Sequence, residues 1–584
     1  MKMDVNRLSW LIAGEAGYGI MTAGQNFAKA MVLGGLNIFT HVEYPSLIRG
    51  GHNAFAVRVE EDEVRCPIQM YNLIVALNKE TIDRHKNFLT HGGGIIFDPD
   101  KITLNDGEVR ADVRIYKVPT TQIIKETTDA IPVMNNSVTL GASMAVLNYD
   151  FELLAESIKG TYSKKKKANN MIDINIEVAK KGYDYIKNNY PNDFNVKLEK
   201  RTKKKKMMII GNQAIALGAI KAGCKFLSAY PMTPATSVMN YFVSKEEEAG
   251  VVMKQADDEI AAINMALGAS YAGVRAMTST SGGGLALMAE TASLVGMSEI
   301  PLVIVNVQRP GPATGLPTRT GQADLKFVMN IGHGDFPRIV ITPGDVQECF
   351  YETFNAFNLA DKYQLPVFVV SDKCLAVSIR SIPEFDTKYM KIDRGCLLTD
   401  EEAKNLYDYK RFLITDSGVS PRAIPGQNAI FRSSSDEHNE HGEIHEEQDN
   451  RVSMEDKRFR KLDTALKDIP LPKLYGPENA DMTIVGWGST KGVVLEAMEY
   501  LKKDGITANF LHFTYMFPFH ADWVSEFLSK CKMVVDVEGN KTAQLAGVIR
   551  EFTGFKIEKK VLKYNGRTFF PSEVYDDLKR AYHG

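Results

Sequence analysis

Cysteine is scarce and widely spaced in this sequence. Its 584 residues include six cysteines, and no two of them stand as a CxxC pair. They are Cys66, Cys224, Cys349, Cys374, Cys396 and Cys531. Closely spaced cysteines are the usual signature of disulfide frameworks, local zinc sites and iron–sulfur loops. The spacing therefore predicts none of these for the chain and favours a reducing compartment.

Long apolar runs and an excess of one charge are also missing. No run approaches the ~18 apolar residues that a membrane-spanning helix needs, and Gly14 and Glu15 interrupt the one near the N-terminus. The 70 basic and 72 acidic residues give a formal net charge of -2, which argues against general binding to nucleic acid or to a membrane surface. We expect a cytoplasmic protein that binds neither nucleic acid nor membrane.

Two polar stretches divide the sequence into blocks. Residues 197–206, KLEKRTKKKK, are predicted to form a solvated linker because like charges in a block repel one another; nucleic-acid binding is the alternative. Residues 401–474 are rich in turn-forming residues and are predicted to form an insertion or connecting loop. Three histidines in it stand near acids, but Gly442 interrupts the helix that would align them, so we expect no metal site there. They are His438, His441 and His445.

The three remaining blocks alternate apolar strands with helices. Residues 1–196 begin as a Rossmann-like unit, yet their first glycines fall as GxxGxG and not as the dinucleotide pattern GxGxxG, so NAD is not expected. Residues 207–400 predict a doubly wound sheet with ligands at the carboxyl ends of its strands. Residues 475–584 predict another small α/β unit. The predicted class is α/β with three domains.

The segment LSAYPMTPATSV, residues 227–238, joins an apolar run to a helical one. Pro231 follows Tyr230 and fixes the turn, Pro234 suits the first turn of a helix, and Thr233 would be its N-cap. A helix cap alone would account for these residues. A helix N-terminus at the carboxyl end of a strand is also a good place for a substrate carboxylate.

Acids and glycines open the next two predicted helices. Asp257, Asp258 and Glu259 are placed in one first turn, where acids oppose the helix dipole. A carboxylate at such a junction could instead protonate a heterocycle nitrogen. Residues 282–284, all glycine, open the following helix and either let a ligand approach the backbone or permit close helix packing.

Arg309 lies just past the strand PLVIV and begins a rigid loop rich in proline and glycine. The loop also carries Thr314, Thr318 and Arg319. A fixed arginine beside hydroxyl groups suits bidentate recognition of a carboxylate. An ordinary surface loop with an ordinary arginine is the alternative.

The order and the local sequence of these motifs resemble those of a known family. AYPMTPATSV, DDEIAAINMALGASYAGVRAMTSTSGGG and QRPGPATGLPTRTGQADL together resemble the α subunit of the 2-oxoacid:ferredoxin oxidoreductases, in the form with a fused N-terminal γ domain. The first block is similar in GEAGYGIMTAGQNFAKA, and the third in VEGNKTAQLAGVIR. The resemblance implies a Rossmann-like γ domain, a pyrimidine-type thiamine diphosphate domain and a transketolase C-terminal-like domain.

The resemblance also implies roles for single residues. Thr233 matches a threonine beside the 2-oxoacid and the thiamine ring, and Glu259 matches the glutamate that hydrogen-bonds N1′ of the aminopyrimidine. Arg309 and Thr318 match residues that hold the oxoacid carboxylate. The implied catalytic set is Glu259, Thr233 and Arg309. Further cofactor-binding residues, by position in the motifs, are Tyr230, Pro231, Gly282 and Gly283.

Half of a thiamine site is missing from this sequence. The family's GDG…NN segment, which holds Mg²⁺ and the diphosphate, has only a weak counterpart in NDGE at 105–108 with Asn135 and Asn136. We interpret NDGE as a hairpin turn. The resemblance implies that a β subunit supplies Mg²⁺, the diphosphate site and a [4Fe-4S] cluster, in an αβ or (αβ)₂ assembly.

The implied reaction is oxidative decarboxylation of a 2-oxoacid to acyl-CoA and CO₂, with coenzyme A as co-substrate and ferredoxin as electron acceptor. The sequence leaves the oxoacid open; 2-oxoglutarate or broad specificity is favoured over pyruvate alone by the fused layout. The γ domain is expected to help coenzyme A reach the site. The alternative function is a non-catalytic assembly or acyl-CoA-binding subunit that retains the fold, and a self-contained transketolase-like enzyme lacks its diphosphate motif.

Overall fold

The computed structural model describes residues 4–46, 50–162, 169–202 and 205–584. The chain forms two compact units, one of Met1–Ile209 with Ser378–Phe385 and one of Ile210–Val377 with Asp386–Gly584. Across the described ranges, no helix combines the length and apolar character that crossing a membrane requires. The domain bounds expected from the sequence stay a prediction.

Strands and helices alternate along most of the chain. The strands are β1 Asp4–Val5, β2 Arg7–Glu15, β3 Asn37–Glu43, β4 His52–Glu60, β5 Tyr71–Ala76, β6 Leu89–Phe97, β7 Arg114–Lys117, β8 Val196–Lys197, β9 Lys206–Ile209, β10 Phe226–Ala229, β11 Val252–Gln255, β12 Ala276–Thr280, β13 Leu302–Gln308, β14 Ile339–Ile341, β15 Pro366–Asp372, β16 Arg380–Pro383, β17 Lys473–Tyr475, β18 Met482–Trp487, β19 Ala508–Phe513, β20 Tyr515–Phe517, β21 Val534–Glu538 and β22 Lys559–Leu562. The α-helices are α1 Ile20–Leu33, α2 Lys79–His85, α3 Thr120–Lys125, α4 Asn135–Val146, α5 Phe151–Tyr162, α6 Asn169–Asn189, α7 Gly211–Lys221, α8 Thr236–Val243, α9 Glu246–Ala249, α10 Glu259–Tyr271, α11 Gly282–Leu287, α12 Ala289–Ser298, α13 Leu325–Met329, α14 Val346–Tyr363, α15 Lys373–Val377, α16 Asp400–Lys404, α17 Gln448–Leu466, α18 Thr490–Lys503, α19 Ala521–Ser529, α20 Gln544–Thr553 and α21 Pro571–His583.

The first unit is built on an eight-stranded mixed sheet in the order β7-β6-β5-β2-β4-β3-β16-β9. β2, β5, β6 and β7 pair in parallel, whereas β4 pairs antiparallel with both β2 and β3. Their apolar side chains form the core against α1, α4 and α5, with Trp10 stacked on Phe27 at 4.1 Å between ring centroids. The parallel half is the Rossmann-like part, and the antiparallel strands complete the sheet.

Two features of this unit differ from the sequence interpretation. The strand β9, expected to open the second block, pairs with β16 in the sheet of the first unit. NDGE is a turn, with a hydrogen bond from Glu108 N–H to the Asn105 carbonyl and Gly107 at a φ of 80°. It is not a hairpin, because β7 begins only at Arg114 and pairs in parallel with β6.

The second unit contains a seven-stranded sheet in the order β11-β10-β12-β13-β15-β14-β20. The strands β10 to β15 pair in parallel, and β20 adds an antiparallel edge. All seven residues of β13, LVIVNVQ, are buried, as are those of β15. Continuous apolar strands of this kind are typical of parallel sheets covered by helices on both faces. The carboxyl ends of β10 to β13 therefore meet at one edge.

A smaller five-stranded sheet, in the order β17-β19-β18-β21-β22, lies in the same unit. Its parallel strands β18, β21 and β22 are followed by the loops 488–489, 539–543 and 563–570. One apolar core runs from this sheet into the seven-stranded one, including Val485, Trp487 and Leu511 from the smaller sheet and Ile304 and Val370 from the larger one. The two sheets are thus packed as parts of one body.

The insertion, residues 401–474, contains a 19-residue helix, α17, that was not predicted from the sequence. Lys457 and Lys461 of α17 are fully buried, and both ammonium groups bind the buried carboxylate of Glu299, at 2.6 Å for Lys457. Although burial raises it, the pKa of Glu299 is lowered overall by Lys457 and Lys461. A guanidinium N–H of Arg411 also donates to the Glu299 carbonyl at 2.6 Å. These contacts hold the polar insertion to the sheet domain.

Replacing Glu299 with glutamine should strongly destabilise the second unit, because two buried lysines then lose their counter-charge. We expect a loss of about 3 to 5 kcal/mol in the free energy of unfolding, measured by denaturant titration. Glu526→Gln is the matched control, since Glu526 pairs with Lys530 on the surface and should change stability by less than about 0.5 kcal/mol. Equal stability of the two variants would contradict the role given to Glu299.

Candidate functional site

The predicted site residues follow four neighbouring strands at the edge where those strands end. Tyr230 follows β10, Glu259 follows β11, the 282–284 glycines follow β12 and Arg309 follows β13. The sheet order β11-β10-β12-β13 places these strands side by side, and their pairing is parallel. A parallel sheet brings such positions together at one edge, where ligands usually bind.

Thr233 lies in a turn that contacts Arg309. The guanidinium Nη1 of Arg309 donates to the backbone carbonyl of Thr233 at 2.7 Å. Thr233 is not the N-cap predicted from the sequence: α8 begins at Thr236, and Ala235 is its cap. The reason is local, since Ala235 N–H bonds to the Met232 carbonyl at 2.7 Å and a tight turn precedes the helix. Tyr230, just before this turn, is 38% exposed.

Glu259 is the first residue of α10 and is 4% exposed. The prediction that three acids lie in the first turn of this helix is wrong, because only Glu259 lies within it. Asp258 is the N-cap and accepts a hydrogen bond from Ala261 N–H at 2.7 Å, and Asp257 precedes it. Glu259 Oε1 is buried without a hydrogen-bond partner among the residues that the structure describes. A buried carboxylate oxygen in this state is costly unless a ligand donates to it.

The three glycines of α11 have different surroundings. A Cβ on Gly284 would lie 2.2 Å from Thr280 Oγ1 and 2.7 Å from Glu259 Oε1, so no side chain fits there. A Cβ on Gly282 would lie 2.6 Å from Asp324 Oδ2. Gly283 is exposed, and nothing closer than a carbonyl at 4.0 Å faces its missing side chain. Packing therefore requires two of the glycines, while Gly283 leaves backbone open to a ligand.

Asp324, in the segment QRPGPATGLPTRTGQADL, lies beside Gly282 at the candidate site, and no role was predicted for it from the sequence. Its Oδ2 accepts a hydrogen bond from Asn306 Nδ2 at 3.1 Å, and burial raises its pKa. Burial lowers the pKa of Arg309, against the attraction of the Asp324 carboxylate. The contact of Asp324 with Gly282 could not be predicted from the sequence, because the fold brings together two residues that are 42 positions apart.

Thr318 is buried in the loop that Arg309 begins, with 8% of its surface exposed. In the described part of the chain, no hydrogen bond links the Thr318 side chain to the other predicted residues. The structure therefore brings Thr233, Glu259 and Arg309 together with the glycine turn, and it leaves the role of Thr318 as a prediction.

Comparison with known proteins identifies the family. Three family models match, described as pyruvate ferredoxin/flavodoxin oxidoreductase over residues 9–185, pyruvate flavodoxin/ferredoxin oxidoreductase, thiamine diP-bdg, over 217–457, and pyruvate:ferredoxin oxidoreductase core domain II over 480–574. A 2-oxoacid:ferredoxin oxidoreductase subunit alpha from Sulfolobus sp is 34% identical over 628 residues, spanning 98% of this chain and 96% of that protein. This chain belongs to the 2-oxoacid:ferredoxin oxidoreductase α-subunit family.

Other relatives of the family agree in length and fold. A 2-oxoglutarate oxidoreductase subunit KorA from Mycobacterium tuberculosis is 27% identical over 98% of this chain and 91% of its own. A solved 2-oxoglutarate:ferredoxin oxidoreductase from Magnetococcus marinus, with 2-oxoglutarate, coenzyme A and succinyl-CoA bound, is 34% identical with a TM-score of 0.92, covering 99% of this chain and 100% of that one. The resemblance and the α/β fold class expected from the sequence are confirmed.

Two histidines of the insertion, His438 and His441, contact residues of the same insertion. The His438 ring packs on Phe412 at 3.9 Å between centroids, and its Nδ1 lies 2.9 Å from the Asp436 carbonyl. His441 Nε2 lies 2.9 Å from a carboxylate oxygen of Asp408. Over the residues described, no group of three or more histidine, cysteine, aspartate or glutamate side chains is arranged to hold a metal ion.

The glycine contacts give a test of the site's packing. Gly284→Ala should destabilise the protein by about 1 to 3 kcal/mol, because the added methyl group must displace Thr280 and Glu259. Gly283→Ala, one residue away, should leave stability unchanged or slightly higher, because its Cβ meets open space. Denaturant unfolding of both variants measures the difference. A Gly284→Ala protein as stable as the parent would show that Glu259 is not held against this turn.

Proposed function

We propose that this chain supplies one half of the active site of a coenzyme A-dependent 2-oxoacid:ferredoxin oxidoreductase. The complete enzyme would decarboxylate a 2-oxoacid, form acyl-CoA and reduce ferredoxin. A β subunit would supply the other half. The buried, unpartnered Glu259 Oε1 beside the glycine turn carries this proposal, because it is the group that a thiamine aminopyrimidine needs.

The residues present fit the aminopyrimidine half of thiamine diphosphate. Glu259 would share one proton with N1′ of the ring in a hydrogen bond, and the open backbone at Gly283 would let the ring approach. When bound, thiamine diphosphate supplies the carbon nucleophile for the keto group and a place for the electrons released with CO₂. The burial of Glu259 keeps water away from that hydrogen bond and so strengthens it.

Arg309 and Thr233 would recognise the oxoacid. Thr233 and Arg309 are already joined by the bond from guanidinium Nη1 to the backbone carbonyl, which leaves other guanidinium N–H groups to bind a carboxylate. Thr318 would contribute its hydroxyl from the same loop. Charge-assisted hydrogen bonds of this kind orient the keto carbon for attack.

The other half of the site is assigned to a β subunit. The sequence has no GDG…NN segment in its thiamine-type block, and its cysteines form no CxxC pair. The weak counterpart at 105–108 is a turn in the first unit, whereas Glu259 belongs to the second. Mg²⁺, the diphosphate and a [4Fe-4S] cluster would therefore be held by β, with (αβ)₂ as the expected assembly.

We propose 2-oxoglutarate, or a broad range of oxoacids, as the substrate. The Magnetococcus marinus protein with 34% identity has 2-oxoglutarate, coenzyme A and succinyl-CoA bound, and the Mycobacterium tuberculosis relative is named for 2-oxoglutarate. Several other relatives are named for 2-oxoacids in general. Turnover of the αβ complex across a panel of oxoacids distinguishes these cases.

Glu259→Gln tests the proposed function. Co-expressed with β, the variant should lose about 100-fold or more in the rate of oxoacid-dependent viologen reduction. The reason is that an amide cannot exchange a proton with N1′ as a carboxyl group does. Assembly should be unchanged in size-exclusion chromatography. Glu247→Gln, at an exposed acid of the short helix α9, is the control and should keep full turnover. Full turnover of Glu259→Gln would remove Glu259 from the mechanism.

A further inference from the structure

The loop that carries Arg309 and Thr318 is closed at its base by a glutamine. We call residues 309–323 the recognition loop. Gln308, the fully buried last residue of β13, accepts a hydrogen bond from Asp324 N–H at Oε1, over 2.9 Å. Its Nε2 donates to the Ser371 carbonyl at 3.3 Å, on the neighbouring strand β15. The two ends of the recognition loop are thereby fixed to the seven-stranded sheet.

A second glutamine, Gln322, fixes the recognition loop to the five-stranded sheet. Gln322 is 2% exposed. Its side chain donates from Nε2 to the Trp487 carbonyl at 3.0 Å and accepts from Gly539 N–H at Oε1, over 2.8 Å. Its backbone donates to the Gly539 carbonyl at 2.9 Å and accepts from Asn540 Nδ2 at 3.0 Å. Four hydrogen bonds thus join one residue of the loop to the ends of β18 and β21.

The partners of Gln322 are themselves held by a buried carboxylate. Glu538 Oε2 accepts from Trp487 Nε1 at 2.9 Å and from Asn540 Nδ2 at 2.7 Å. Glu538 Oε1 accepts from Leu545 N–H at 2.8 Å, at the start of α20. A carboxylate with these donors and a helix N-terminus beside it is well stabilised. Gln322 therefore binds to a rigid surface rather than to a mobile loop.

The middle of the recognition loop meets the same sheet at another point. Thr320 N–H donates to the Gly566 carbonyl at 3.4 Å. A Cβ on Gly566 would lie 2.9 Å from Leu316 Cδ1 and 3.3 Å from Arg319 Cβ, so the loop packs directly on this glycine. Thr318 lies between these contacts along the chain.

We propose that the five-stranded sheet domain positions the recognition loop for the 2-oxoacid, with Gln322 as the positioning residue. Gln322 is buried and its amide is bonded within the chain, so it would act through Arg309 and Thr318 rather than on the substrate itself. That the loop holds a substrate carboxylate rests on the proposed function, whereas the attachment of the loop to the sheet does not.

An amide is the side chain that this position requires. Trp487 offers a carbonyl and Gly539 an N–H group, so the residue between them must both donate and accept. Alanine would leave the Gly539 N–H without its partner and the Trp487 carbonyl with only the Thr490 hydroxyl as a donor. Glutamate would place a carboxylate against a carbonyl, close to the charge of Glu538. The loop would then lose its attachment while Gln308 still closed its base.

Gln322→Ala and Asn509→Ala form a matched pair for the test. Asn509 is a fully buried amide in β19 of the same sheet, and its Nδ2 donates to the carbonyls of Pro477 and Glu478, away from the recognition loop. Each variant removes a buried amide that makes two side-chain hydrogen bonds. The two should therefore lower the unfolding temperature to a similar extent.

Hydrogen–deuterium exchange of the purified full chain, read by mass spectrometry, measures the attachment directly. In Gln322→Ala, amides of residues 311–321 should exchange at least tenfold faster, and in Asn509→Ala they should exchange as in the parent. In the αβ complex, Gln322→Ala should raise KM for the oxoacid about tenfold with a smaller change in kcat, and Asn509→Ala should leave KM unchanged.

The outcomes separate the two claims. Unchanged exchange in Gln322→Ala, or equal acceleration in both variants, would overturn the attachment. Faster exchange with an unaltered KM in an active complex would overturn the positioning role. A parent complex with no oxoacid-dependent turnover would contradict the proposed function, and the exchange result would still decide whether Gln322 holds the loop.

Discussion

The hydrogen bond from the Arg309 guanidinium to the Thr233 carbonyl joins the two motifs on which the candidate site depends. It spans the ends of β10 and β13, which lie on either side of β12 in the parallel sheet. The glycine turn follows β12, and Glu259 packs against that turn at Gly284. Parallel pairing makes this meeting possible, because it alone brings strand ends from distant parts of the sequence to one edge.

The buried carboxyl groups differ in whether the chain itself supplies their hydrogen-bond and charge partners. Glu299 and Glu538 have partners for their charge within the chain, and both contribute to holding one element to another. Glu259 is 4% exposed, and its Oε1 has no hydrogen-bond partner in the described residues. Both carboxyl oxygens of the buried Asp536 also lack a partner there, but Asp536 lies within β21, whereas Glu259 follows a parallel strand at the edge where ligands usually bind. The open oxygen of Glu259 therefore indicates a place for a hydrogen-bonding group from outside the chain.

Much of the fold and of the site could be predicted from the sequence, and the misses have physical causes. The α/β class was predicted from apolar runs such as that of β13 and from the proline and glycine residues between them. The same pattern predicted that Glu259 and Arg309 follow the ends of strands. The helix α17 was missed because its buried face includes two lysines and an arginine, residue types that a sequence pattern assigns to the solvated surface. The two lysines are buried because the fold brings Glu299 to them. The capping role of Thr233 was wrong because a tight turn precedes α8. Gln322 gave no local signal, since its partners lie 165 or more residues away in sequence.

The proposed function requires that this chain hold only half of an active site. The direct measurement is oxoacid-dependent viologen reduction, with and without coenzyme A, by the chain alone, by the β subunit alone and by the two combined. We expect turnover only for the combination and only with coenzyme A present. Turnover by this chain alone, or near-normal turnover by the β subunit without it, would contradict the claim.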